Sequence, residues 1–443
     1  MTDDLDRLLQ ATPFGASERS AAMANYDALV VAVLSPLAFA QVFACWTLFA
    51  VLGLELRGGA GFGRDIGELG FAVLLSMPML IGALASPLMA LLARRFGGRR
   101  VMLGCLLLLC PVLGWIHLAR DYLDLLLGGL GLGLGAGSMT AGLVYVATLS
   151  PSRHAGLALG LYGAGMMGAG LSYVLLPLIS QAYGWRVAPL LYLLPVLTVA
   201  GLLWLFARDA DEIRAAASRG PGASPRRGIL KQALQPLGQR LFRWRLWRLA
   251  ITYSFFFGAL VALTLWLPGH LSAEYRLSLR AAALWALPFV LAGGVGQIVG
   301  GMLADWRDFR SLRWWVSAFV LVCLFLLSYP SFEMQINATH GEIALRYALP
   351  LWGFELLVSL LGLALGLGLG SLMRLIHLDH RAEMAWVGGL ALTLGGLFAA
   401  LLPLVFVLGR AWTGIATAGF MFLYAALLVC LLVMLADHVW IRK

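Results

Sequence analysis

The feature that most constrains this chain is its succession of long apolar runs. Twelve stretches, at about 28–54, 67–93, 100–119, 122–148, 155–182, 187–207, 249–271, 281–304, 314–330, 347–373, 384–408 and 413–436, are nearly free of charge. A helix needs about 20 apolar residues to cross the roughly 30 Å hydrocarbon core of a bilayer. In lipid every backbone N–H and C=O must be satisfied within the segment or by a closed barrel. None of the runs alternates apolar and polar residues as barrel strands do. The expected fold is therefore an all-α integral membrane protein with twelve transmembrane helices. Composition agrees: 61% of the 443 residues are hydrophobic and 12% charged, where soluble chains stand near 45–50% and about 25%. That balance excludes an ordinary soluble enzyme, a disordered chain and a nucleic-acid-binding module.

The net charge of +10 has its origin in the loops. All 32 Lys and Arg residues fall in loops, tails or helix ends. With the first residues placed in the cytoplasm, only eight of them (Arg57, Arg64, Arg120, Arg186, Arg276, Arg280, Arg346 and Arg410) lie on the far side. This is the positive-inside bias, and it predicts cytoplasmic termini. Residues 1–27 are polar and lack the basic start and short apolar core of a secretory signal, so a retained cytoplasmic tail is expected. The five cysteines all fall inside spans, with no disulfide framework and no zinc spacing.

A longer hydrophilic stretch divides the spans six and six. The expected organisation is a tail (1–27), a first six-helix bundle (28–207), a cytoplasmic linker (208–248), a second bundle (249–436) and a C-terminal tail (437–443). Within the linker, LGQRLFRWRLWR (237–248) is basic and aromatic, a composition suited to an anionic lipid surface. The halves echo each other. GLGLGLGAGS (129–138) has a counterpart in LALGLGLGS (363–371), and the fifth and eleventh spans both end glycine-rich stretches in Leu-Pro, at Pro177 and Pro403. Two repeats with a site between them near the midplane are a recurrent transporter plan.

On these motifs the chain resembles the major facilitator superfamily and, within it, the nitrate/nitrite porter family. The residues that carry the resemblance are RFGGRR (95–100), FGALVALTLWLP (257–268), GGMLAD (300–305), GLALGLYGAGMMGAG (156–170) and VGGLALTLGGLFAALLP (387–403). The resemblance implies a bacterial inner-membrane transporter that rocks two six-helix halves around a central cavity. It also implies two anion-binding arginines, but their positions fall on Ser86 and Gln297 here, and the family's asparagines fall near Met167 and Leu369. The chain has only two asparagines, Asn25 and Asn337, neither inside a span. The aspartate usual before RFGGRR is Arg94, while its counterpart in the second half is kept as Asp305.

The residues themselves point the same way. No Lys or Arg is expected in the interior of a span, yet a desolvated planar oxyanion calls for charge-assisted partners, arginine above all. The central site is thus expected to be non-cationic, formed by Gln41, Trp46, Ser86, Tyr162, Met167, Tyr253, Gln297 and Leu369. Gln297 both donates and accepts; the competing reading is an interhelical bond to backbone. Ser86 precedes Pro87 and equally suits a carbonyl freed by the proline. The tyrosines, with Tyr173, are wall residues or plain packing. Glu355, the one acidic residue read as deep in a span, is the candidate proton-coupling group, because an intramembrane carboxyl is costly unless neutral or paired. Arg94, Arg95, Asp305, Arg307 and Arg310 are the candidate gating residues, with Asp305 expected to pair with a helix end. No cofactor, metal site or enzymatic constellation is expected. The expected partners are a small solute, with nitrate and nitrite kept as candidates, and the bilayer. The alternative is a transport-inactive relative serving as a subunit or assembly factor of another membrane complex.

Overall fold

The computed structural model describes residues 16–57, 66–150, 152–209, 244–306, 309–330, 332–338, 341–347 and 349–440. Within them, eleven helices are long and apolar enough to cross a membrane, and a shorter apolar helix, Arg313–Leu327, supplies the remaining crossing. The first crossing is α1 (Ala16–Trp46) continued by α2 (Leu48–Arg57); α3 (Glu68–Phe96) and α4 (Gly98–His117) follow. The fourth is split into α5 (Tyr122–Gly135) and α6 (Gly137–Leu149). The fifth is α7 (Ala155–Gly163), a 3₁₀ turn and α8 (Ala169–Tyr183). Then come α9 (Ala188–Leu191) with α10 (Leu193–Phe206), α11 (Trp244–Glu274), α12 (Leu279–Trp306), α13 (Phe309–Leu327), α14 (Leu351–Asp379), α15 (Met384–Thr413) and α16 (Ala418–Trp440).

Local chemistry sets the boundaries. Gly97 joins α3 to α4 at φ +94°, and Gly414 ends α15 in the left-handed region at φ +69°; both are conformations that a Cβ disfavours. Asp121 caps α5 by accepting from the Asp124 amide at 2.9 Å. The stretch between α13 and α14 falls between two of the apolar runs. It contains a two-stranded antiparallel hairpin, β1 (Phe332–Ala338) and β2 (Gly341–Tyr347), with Phe332 opposite Tyr347 and Ala338 opposite Gly341. Leucines cover the outward face, for example Leu84 at 59% and Leu194 at 75% exposure, the belt that a bilayer covers.

The alternating glycines serve opposite faces of one helix. Gly362, Gly366 and Gly370 lie against the α12 carbonyls of Phe289, Gly293 and Gln297, so a Cβ at any of them would meet backbone. Gly368, off that row, faces Phe256 of α11. Rows spaced four residues apart share a helix face, which is why α12 and α14 approach so closely. A second row, Gly156, Gly160 and Gly163 on α7, lies against Gly301 and Gln297 of α12. Here the two halves of the chain touch backbone to backbone.

Candidate functional site

Between the halves, α1, the fourth and fifth crossings, α11, α12, α14 and α15 enclose a central cavity of about 20 Å³, room for roughly one water. Tyr162, Tyr253, Gln297 and Leu369 border it together, with Phe39, Met139 and Met166 beside them. None of its described lining residues is Lys, Arg, His, Asp or Glu.

Gln297 stands at the middle of this arrangement. It is 2% exposed, and its Nε2 donates to the Met166 sulfur at 3.2 Å. Its backbone carbonyl is wedged between Gly160 and Gly370, and its side-chain oxygen lies over Gly163. Glycine on both flanking helices is what lets a carboxamide reach the interface. The Tyr162 hydroxyl donates to Met139 O at 2.6 Å, with Ser138 O at 3.4 Å, and its ring stacks on Phe39 at 5.3 Å. Tyr253 stacks on Phe257 at 5.7 Å.

The other expected residues stand away from the cavity's border. The indole of Trp46 donates to Leu132 O at 3.0 Å and is committed to the fourth crossing. Ser86 donates to Gly82 O at 2.8 Å, one helical turn back, and accepts from Thr140 at 3.1 Å. Met167 packs on Gly294 of α12, while its neighbour Met166 faces the cavity. Gln41 is 5% exposed, and its Nε2 has no hydrogen-bond partner among the described residues. Tyr173 donates to Thr264 O on α11 and so bridges the two halves.

At one end of the molecule, Asp305 closes the interface. Its carboxylate accepts from the amides of Gly156 at 3.0 Å and Leu157 at 2.9 Å, the first turn of α7. A carboxylate there meets unsatisfied N–H groups and the positive end of the helix dipole. The same carboxylate pairs with Arg374 Nε at 2.8 Å, with side-chain exposures of 3% and 9%. Arg374 corrects the expectation that no arginine enters a span. α14 runs to Asp379 rather than to 373, and the extra turns carry Arg374 and the 1% exposed His377 into the packed interior. The signal available in the sequence was the chain after the glycine run, LMRLIHLD, whose apolar period continues past Arg374.

The first half is arranged differently at this end. Arg94 and Arg95 are exposed, with Arg95 over the Phe96 ring at 5.1 Å. Asp209, after α10, takes the helix-end role inside its own half: it accepts from the Arg99 amide at 3.0 Å and lies 3.6 Å from Arg100 Nε. Gly97 leaves the room that Asp209 occupies. Arg307 and Arg310 lie outside the residues whose side chains are described. At the opposite end, Glu68 lies 3.3 Å from Arg57 and 3.7 Å from Arg410, an exposed cluster joining α3 to α15.

Glu355 is shallower than expected. It is the fifth residue of α14, in the second turn from the Glu68 end of the molecule, and is 7% exposed. Its Oε1 accepts from Ser359 at 3.0 Å, and Oε2 has no hydrogen-bond partner among the described residues. It does not border the central cavity.

Residues 30–385 match the model of the Major Facilitator Superfamily. A probable nitrate/nitrite antiporter of Thermus thermophilus is 30% identical over 416 residues, 90% of each chain. A nitrite extrusion protein of Bacillus subtilis is 26% identical over 391 residues, 88% of this chain and 89% of the relative. Among solved structures, a human organic anion transporter shares the fold, with a TM-score of 0.63 and 17% identity over 93% of this chain and 99% of that one.

Proposed function

The chain belongs to the Major Facilitator Superfamily, and from that premise we propose a secondary active transporter that moves a small solute across a bacterial inner membrane by alternating access, with both termini cytoplasmic. Its central site is nitrate/nitrite porter-like in position and non-cationic in chemistry. The observation that supports this reading is the cavity at the contact of the two halves, bordered by Tyr162 from one and by Tyr253, Gln297 and Leu369 from the other, with no charged lining residue among those described. A carboxamide satisfies a neutral or zwitterionic polar group without a counter-charge. A bare anion in such a site loses hydration worth several kcal/mol and regains little. The named relatives nonetheless head the list of cargoes to test, nitrate and nitrite first.

In the same reading Asp305 is the gate residue, locked onto α7 when this end is shut. Arg94 stands where a second such latch is usual, so the balance between the two open states is set by one latch rather than two. Glu355 is the proton-coupling candidate, through the hydrogen bond with Ser359 and the unpartnered second oxygen.

The test is uptake into proteoliposomes with and without a pH gradient, using nitrate, nitrite and a panel of neutral and zwitterionic solutes. Gradient-driven uptake that is lost in Gln297→Leu, and uncoupled from the gradient in Glu355→Gln, is the expected result. Nitrate uptake as fast as that of the best neutral solute would refute the non-cationic site. No uptake of any solute by folded protein would favour the alternative, a membrane subunit without transport, which a stoichiometric co-purifying partner would then identify.

A further inference from the structure

The row of α14 that lines the central cavity ends on a histidine. Leu369 and Met373 border the cavity. His377 follows four residues on, one turn nearer the Asp305 end and on the same helix face. It is 1% exposed, and neither ring nitrogen has a hydrogen-bond partner among the described residues. An imidazole carries a donor and an acceptor, and burying both unpaired is unfavourable. A plain packing position would favour an apolar residue, so the ring has its use in another state of the molecule.

The surrounding charges fix its form while this end is shut. Arg374, about one turn back on α14, and Arg381, after the helix, act on the ring, as does Asp305 from α12. The Asp305 carboxylate is already committed to the Gly156 and Leu157 amides and to Arg374. Asp379 and Glu383, later on the chain, have interactions of their own, as do Arg248 of α11 and Arg313 of α13 at the same end. α7 and α15, which also pack on α14, bring no charged residue in their first two turns. An imidazolium here would be a buried charge beside two guanidinium groups and without an acceptor, so the shut molecule holds the neutral ring.

We propose that His377 is a proton-binding site of the gate at the Asp305 end, unprotonated while Asp305 holds α7 and protonated once the halves part there and water reaches the ring. This rests on the reading above that this end opens. The proton comes from water on that side, forms an N–H bond at the free ring nitrogen, and returns to the same side when the latch closes. The site therefore sets the response of the gate to pH and is separate from the gradient coupling assigned to Glu355. Only the open form gains the proton, so acid favours opening. A hydrated histidine titrates near pH 6.5, so the open population at pH 5.5 should be about tenfold that at pH 8.

The test is hydrogen exchange over 155–163 in the purified full-length chain in detergent, from pH 5.5 to pH 8, corrected for the intrinsic pH dependence of exchange. Protection is expected to fall about tenfold toward pH 5.5. His377→Leu should reduce that change to less than twofold while melting no lower than the parent, since it removes an unpaired polar group. His377→Gln, which stays polar but does not titrate, should flatten the response equally. Two other histidines stand at this end: His154, before α7, is exposed, and His380, after α14, is partly so. Both meet water already in the shut form, so His154→Gln combined with His380→Gln should keep the tenfold response. A response that survives in both His377 variants, or that disappears in the His154/His380 pair, would overturn the proposal. So would a parent without any pH response, and Asp305→Asn then shows which premise failed. Faster exchange in Asp305→Asn would mean that the end opens without a proton site at His377, and unchanged exchange that the end does not open.

Discussion

Asp305 fastens one half of the molecule to Gly156 of the other: its Oδ1 accepts the Gly156 amide at 3.0 Å, and Oδ2 accepts the next amide, that of Leu157, at 2.9 Å. Arg374, 2.8 Å from the same carboxylate, comes from the same half as Asp305. Opening this end therefore breaks two hydrogen bonds to α7 and leaves the ion pair intact, so no bare charge is exposed in an apolar interior. The α7 glycine row serves that contact, because backbone amides are within reach of a short carboxylate only where Gly156 and Gly301 let the helices meet.

Asp305→Asn keeps the shape and removes the charge. The ion pair between Arg374 and residue 305 is lost, which should destabilise the folded chain. The expected outcome is a lower melting temperature in detergent together with faster hydrogen exchange over 155–163. An additional Arg374→Leu substitution should restore part of the melting temperature but not the slow exchange, since an asparagine keeps one acceptor oxygen for the two amides and turns a donor toward the other. Unchanged exchange in Asp305→Asn would show that α7 is held by packing alone.

Gly160→Leu places a side chain on the Gln297 carbonyl. Backbone cannot yield as a flexible side chain does, so the two halves should be held apart at the Asp305 end. Uptake is expected to fall at least tenfold, with secondary structure by circular dichroism unchanged. Retention of more than half the uptake would mean that this contact is not made during the cycle.

Gln297→Leu removes the donor to Met166 and keeps the volume. A single hydrogen bond of this kind is worth about 1 kcal/mol, so the melting temperature should move little while uptake is lost. A large destabilisation with normal uptake in the surviving fraction would make Gln297 a packing residue.

The opposite end should behave differently under the same type of change. Glu68 and Arg410 are 45% and 47% exposed, with Arg57 beside them. Exposed ion pairs contribute roughly 0–1 kcal/mol. Glu68→Gln is expected to shift the melting temperature by no more than a degree or two, and what shift there is should vanish in high salt. A loss comparable to that of Asp305→Asn would mean that this cluster is a latch in its own right.

Tyr275 donates to Leu349 O at 3.1 Å, tying the end of α11 to the start of α14, and makes that tie pH-dependent. Burial first, and the Glu274 carboxylate next, push its hydroxyl up to about 12, above the ordinary value near 10. The folded chain therefore keeps a proton that the unfolded chain gives up. The stabilisation is whole below about pH 10 and is lost as pH rises toward 12. Tyr275→Phe should flatten that alkaline loss in thermal melts taken between pH 8 and pH 12.

Much of the candidate site was legible in single segments. In the sequence Gln297 and Leu369 are register-matched positions and Tyr162 and Tyr253 are candidate wall residues, and the structure brings these four to one cavity. Ser86 and Trp46 were identified by the same signals, yet their polar atoms are taken by Gly82 O and Leu132 O. Nothing in a segment read alone distinguishes a hydroxyl or indole turned to a neighbouring carbonyl from one turned to a cavity. Glu355 was placed too deep because the helix boundary was drawn a few residues early, and the same error at the other end of α14 concealed Arg374.

What the sequence determined by itself was the membrane architecture. Hydropathy is a property of each segment, and lipid forces every such segment to satisfy its backbone internally as a helix. The two-half plan followed from the repeated glycine motifs and the charged stretch between them. What only the tertiary structure decided was which polar groups meet. Asp305, Arg374 and Gly156 are far apart in the chain, and their meeting depends on the angle and depth at which α7, α12 and α14 pack. A cavity of about 400 Å³ at the Glu68 end belongs to the same class, since its walls come from the ends of α11, α13, α14 and α16, and no local pattern encodes the space left between them.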